Sequence, residues 1–108
     1  MGLVLLFLSG ALLCNAIPHL TSGLSGDPFP SPFATPRGVG DSSPLVNFLW
    51  GSANLFLGAG LMIAWLPASG FMAGLAAAAI GWLALGLYLS LHFGKVRRHR
   101  QSVIKHPE

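Results

Sequence analysis

Residues 42–94 form an uninterrupted run of 53 positions without a single Asp, Glu, Lys or Arg. Water-soluble domains are about one quarter charged, whereas this chain is 8% charged. A membrane-crossing helix needs about 20 apolar residues. A run of this length, broken near its middle by Pro67, therefore predicts two consecutive crossings, and lipid is the solvent of most of the chain.

Length and charge narrow the reading further. The 108 residues, 53% of them hydrophobic, make one domain at most. The net charge of +3 belongs to one end. Residues 1–94 hold only Asp27, Arg37 and Asp41, whereas residues 95–108 hold Lys95, Arg97, Arg98, Arg100 and Lys105 against Glu108. A single cysteine, Cys14, excludes a disulfide within one chain and reads as a small packing residue.

A first apolar segment spans residues 2–17 and reaches spanning length when extended to Leu20, with Pro18 within a turn of its end. It lacks the basic start of a cleaved signal peptide, so a retained helix is expected. Residues 18–44 hold six Pro and four Gly, which predicts a loop. Phe29 and Phe33, set among prolines, predict anchors against the helix ends or the membrane interface. Ser43 before Pro44 is a helix start signal, and the second helix is expected over about 44–66. Asn47, Gly51, Asn54 and Gly58 recur every three or four residues and share one face, the pattern by which helices pack in lipid. Trp50 and Trp65 near its ends suit the two interfaces. A turn at Pro67–Gly70 precedes a third helix over about 68–93, where Gly70 and Gly74 form a GxxxG pattern. The expected fold is an all-α membrane protein of three transmembrane helices, the second and third an antiparallel hairpin, with a basic tail over 95–108.

Five basic residues close to the membrane edge place the tail in the cytoplasm by the positive-inside rule. The N-terminus and the Pro67 turn then lie outside. Within the tail, Lys95, Arg97, Arg98 and Arg100 suit anionic lipid headgroups, worth about 1 kcal/mol per basic residue, rather than nucleic acid. No nucleophile–base pair, phosphate loop or paired-carboxylate motif is present, so an enzyme is not expected, nor is a cofactor. Asn47 and Asn54 read as interhelical hydrogen-bonding groups. Asn15, His19, Asp27 and Asp41 are ligand or loop-ordering candidates. His19 and His92 fall near one membrane face and are weak candidates for a metal or haem site. His99 and His106 read as solvated.

In order along the chain stand Asn15-Ala16-Ile17-Pro18-His19, Gly23, Gly26, Pro32-Phe33, Pro36, Gly38, Gly40, Ser42-Ser43-Pro44, Asn47, Trp50-Gly51 and Asn54. Over these 40 residues, positions 15–54, the chain resembles a group of small bacterial integral membrane proteins with no assigned function. The resemblance implies three-helix architecture and a working part at the loop, and it carries no activity, cofactor or partner.

The expected role is therefore a non-enzymatic accessory or interaction subunit in a bacterial plasma membrane, packed on itself or on a larger complex. Two alternatives stand beside it. One is a homo-oligomeric transporter or channel lined by Asn47 and Asn54. The other is a metal- or haem-binding protein using His19 and His92.

Overall fold

The computed structural model describes residues 1–105, so His106 lies outside the described residues. Three helices make up most of the described chain: α1 (Gly2–Leu24), α2 (Pro44–Ser69) and α3 (Phe71–Lys105). All three are long and apolar enough to cross a membrane. Between α1 and α2 lies a two-stranded antiparallel ladder, β1 (Phe29–Pro30) with β2 (Asp41–Ser42).

Each helix end has a local cause. α1 runs through Pro18 and one turn past the expected end. A proline removes one intrahelical hydrogen bond, which membrane helices tolerate where neighbours compensate. The stop is at Gly26, whose φ of +76° allows the Asp27 amide to bond the Ser22 carbonyl at 2.9 Å and the Gly26 amide to bond that of Gly23 at 3.2 Å. This paired closure is the Schellman cap. At α2, Ser43 Oγ accepts the Val46 amide at 3.2 Å and Pro44 is the first helical residue, as its signal predicted.

The turn between the last two helices differs from expectation. α2 continues through Pro67 to Ser69, and the reversal falls on Gly70 alone, at φ +89°. That backbone conformation favours glycine. A Cβ at Gly70 would meet nothing within 4 Å. Gly70 is thus a turn residue, not half of a GxxxG contact, whereas Gly74 sits tightly against Leu66 and Leu6. The 95–105 segment, expected as a separate tail, continues α3 without a break. At 1.5 Å per residue the 35 residues of α3 extend about 52 Å, well beyond a hydrocarbon core of about 30 Å. Its basic end therefore projects past the apolar layer.

The chain reverses at Gly70, but α2 and α3 are not each other's main support. α1 packs along both. It runs antiparallel to α2, with Gly58 against Leu13 and Ser9, and Gly51 against Leu20. It runs parallel to α3, with Gly10 against the Ala78 backbone, Gly81 against the Phe7 backbone and Gly86 near Cys14. The four small and polar residues expected on the packing face of α2, Asn47, Gly51, Asn54 and Gly58, are its buried residues. Without a hydrophobic driving force between helices in lipid, such close backbone approach supplies the packing energy.

The loop and the basic end of α3 share one end of the bundle. Arg100 pairs with Asp41 at 3.0 Å and donates to the Val39 carbonyl. Of the four residues expected at lipid headgroups, Arg100 is thus engaged within the chain, whereas Lys95, Arg97 and Arg98 are exposed. Because the pair is 40% and 36% exposed, its contribution is under about 1 kcal/mol. Arg100→Ala should therefore leave the thermal midpoint nearly unchanged while speeding amide hydrogen exchange at Val39 and Gly40. Unchanged exchange there would show that the contact does not tether the loop.

Candidate functional site

The loop end of the bundle is organised around one carboxamide. Asn47 is fully buried on the first turns of α2. Its Oδ1 accepts from His19 Nδ1 at 2.7 Å, because an amide oxygen can only accept. Its Nδ2 donates to the carbonyls of Phe29, Ser42 and Ser43 at 2.9, 3.2 and 3.1 Å. One side chain thus ties α1, both strands of the ladder and the cap of α2.

The loop folds back onto these groups. Ser31 Oγ and Ser42 Oγ lie 2.6 Å apart across the ladder, and the Gly38 amide bonds the Ser31 carbonyl at 2.9 Å. Both phenylalanines of the loop touch aromatic residues at the helix ends, Phe33 while 64% exposed. Phe29 packs on His19 at 5.5 Å and on Phe93 at 4.7 Å between ring centroids. Phe33 packs edge-on against Trp50 at 5.2 Å. Such aromatic pairs add about 0.5–1.5 kcal/mol each beyond burial.

One turn deeper, Asn15 Nδ2 donates to Asn54 Oδ1 at 3.0 Å, and Asn54 Nδ2 donates to the Trp50 carbonyl at 2.8 Å. Deeper still, Ser9 Oγ donates to the Gly58 carbonyl at 2.6 Å. A ladder of polar contacts thus runs down the α1–α2 seam.

Beside this seam lies a cleft of about 590 Å³, bordered by α1, α2, α3 and the loop. Its α1 wall runs from Leu8 to His19, about 16 Å at the helical rise. Leu8, Leu12, Leu85 and Leu89 line the deep part. Asn15, His19, Trp50 and Asn54 line the part nearer the loop, with Arg37 among the loop residues at the rim. Trp50, near the loop end of α2, also lines this cleft. Its Nε1 is buried and has no hydrogen-bond partner among the described residues, whereas a buried indole N–H usually finds an acceptor.

The remaining candidates fall as follows. His19 and His92 both border the cleft, but His19 Nδ1 is bound to Asn47 and His92 Nε2 donates to the Gly38 carbonyl at 2.7 Å. Among the described residues no three of His, Cys, Asp and Glu come together as a metal-holding group. Asp41 faces Arg100, while Asp27 supplies its amide to the α1 cap and is exposed. His99 is exposed, and Cys14 is buried beside Gly86.

No family model, curated protein or solved structure matches the chain. The fold is that of a three-helix membrane protein.

Two features of this packing have no place in the sequence reading. Ser9 and Gly10 pack against Gly58 and Ala78, and the signal for this is two adjacent small residues inside a leucine-rich helix. Ser31 is fully buried among prolines and has no signal of its own.

Proposed function

We propose that the chain is a non-enzymatic accessory or interaction subunit of a larger complex in a bacterial plasma membrane, with its N-terminus outside and its basic end in the cytoplasm. The observation that carries this reading is the lateral cleft. Because α2 and α3 are held chiefly by α1, their separation opens α1 toward whatever packs beside them. A non-catalytic role is supported by the use made of the polar groups. Asn47, Asn54 and both cleft histidines are bound to other groups of the same chain. For the same reason the two amides suit a structural seam better than a solute pathway.

The test is affinity purification of tagged chain from its native host in mild detergent, compared with Leu12→Trp, which places an indole in the cleft. We expect a stoichiometric membrane partner whose recovery falls about tenfold in the variant at equal membrane levels. A strictly monomeric protein that crosslinks to no membrane protein overturns the reading.

A further inference from the structure

A second pocket, of about 540 Å³, lies between β1 and the basic end of α3. Phe29, Pro30 and Phe93 line one part of it, and Arg97, Arg100 and Gln101 line the other. Both walls are held in place. Phe29 and Phe93 pack at 4.7 Å between ring centroids, Asn47 holds the Phe29 carbonyl, and Val96 beside them is buried. Arg100 is fixed by Asp41 and the Val39 carbonyl. Arg97, one turn earlier, is exposed and makes no ion pair among the described residues. No acidic residue lines the pocket among the described residues; exposed Asp27 precedes Pro28 at its edge.

The depth of this pocket limits what can fill it. Lys95 is the first charged residue after the 42–94 run, so the hydrocarbon ends near Phe93. Counted along α3 from Phe71 at the turn, Phe93 stands at about 33 Å and Gln101 at about 45 Å. A bilayer has a hydrocarbon core of about 30 Å and measures about 40–45 Å with its headgroups. The pocket therefore spans the headgroup layer, with aromatic rings on the hydrocarbon side and guanidinium groups on the water side. An acidic protein segment arriving from water would meet the arginines but not the aromatic wall. A phospholipid with a negative head meets both, because its phosphate lies just above its acyl chains.

We propose that this pocket holds the head of one anionic phospholipid, its phosphate on the Arg97 guanidinium and its glycerol against Phe29 and Phe93. The planar fork of arginine matches phosphate, and charge-assisted hydrogen bonds of this kind are about twice as strong as neutral ones. Arg100, already shared with Asp41, adds positive potential rather than a second free fork. A head seated there touches β1 and α3 together, so it fastens the loop to the end of the helix. The inference stands apart from the partner reading, because the pocket meets the cleft only at Pro30 and Phe93.

The test uses the full chain in phosphatidylcholine nanodiscs containing a minor fraction of phosphatidylglycerol, with retained lipid read by native mass spectrometry after release. Wild type is expected to retain one phosphatidylglycerol per chain. Arg97→Gln and Arg98→Gln remove the same charge one residue apart on an exposed helix end, but only Arg97 lines the pocket. Arg97→Gln should therefore lower retention about tenfold further than Arg98→Gln. Equal losses in the two variants mark diffuse attraction to the basic end and overturn the proposal, as does retention that does not distinguish phosphatidylglycerol from phosphatidylcholine. Displacement of the lipid by inorganic phosphate alone would make the site one for free phosphate and overturn the lipid. In a second arm, a photo-crosslinker at Gln101 in native membranes is expected to give a phospholipid adduct. A crosslinked protein in its place, or no adduct, overturns the proposal. Neither arginine borders the cleft, so recovery of a membrane partner is tested separately by Leu12→Trp.

Discussion

Asn47→Leu is expected to destabilise the protein by about 3 kcal/mol and to lower its thermal midpoint in detergent by roughly 10 °C or more. The side chain is fully buried and makes four hydrogen bonds to four different residues. Individual interhelical bonds in membranes average only about 0.6 kcal/mol, which by itself would argue for a smaller effect. The larger figure follows from what is left behind. Leucine removes Asn47's bonds to the buried His19 ring nitrogen and to the part-buried Phe29 and Ser42 carbonyls, while the Ser43 carbonyl keeps the Asn47 backbone amide. An unsatisfied buried group costs about 1–3 kcal/mol. The loop should loosen together with the helix pair, because the same amide holds both. Circular dichroism melts and proteolysis of the loop give the two readouts. A midpoint within about 2 °C of wild type would mean that the carboxamide does not hold this end together. Asn54→Leu, which loses only two bonds, should fall by less.

The second large effect is steric. Gly10→Val and Gly81→Val are each expected to cost about 3 kcal/mol or more, or to prevent accumulation of folded protein. A Cβ at Gly10 would overlap the Ala78 backbone, and one at Gly81 would overlap the Phe7 backbone. A flexible side chain could move aside, but the backbone of a packed helix can yield only by separating the helices. Overpacking of side chains alone costs about 1–3 kcal/mol. The control is Gly60→Ala, whose Cβ meets nothing within 4 Å and which gains roughly 0.5–1 kcal/mol of helix propensity. Thermal midpoints of the three variants, measured in one detergent, check both directions. A Gly81→Val protein as stable as Gly60→Ala would show that α1 and α3 do not approach this closely.

The packing face of α2 was legible because it is a local property. Residues three or four apart share a helix face whatever the surroundings, so Asn47, Gly51, Asn54 and Gly58 could be grouped before any partner was known. Which helix they meet was not legible. Short connections make sequence neighbours the natural pairing, yet α1 stands between α2 and α3. The close approaches Gly10–Ala78 and Phe7–Gly81 are separated by some 70 residues, and no periodicity within one segment encodes them. The prolines misled for a related reason. Pro18 and Pro67 forbid one hydrogen bond each, but whether a helix ends there depends on the neighbours that compensate. Gly26 and Gly70, which can take positive φ, set the actual ends.

The sequence alone determined the solvent, the number of crossings, the cap at Ser43 and the polar stripe of α2. All of these follow from composition or from spacing within a few residues. Tertiary structure alone decided that α1 is central, that Arg100 reaches Asp41, that Asn47 clasps the loop, and that Trp50 turns its N–H into a buried place beside a cleft. Those outcomes depend on contacts between residues far apart in the chain, where the energy of an arrangement exists only once both partners are in position.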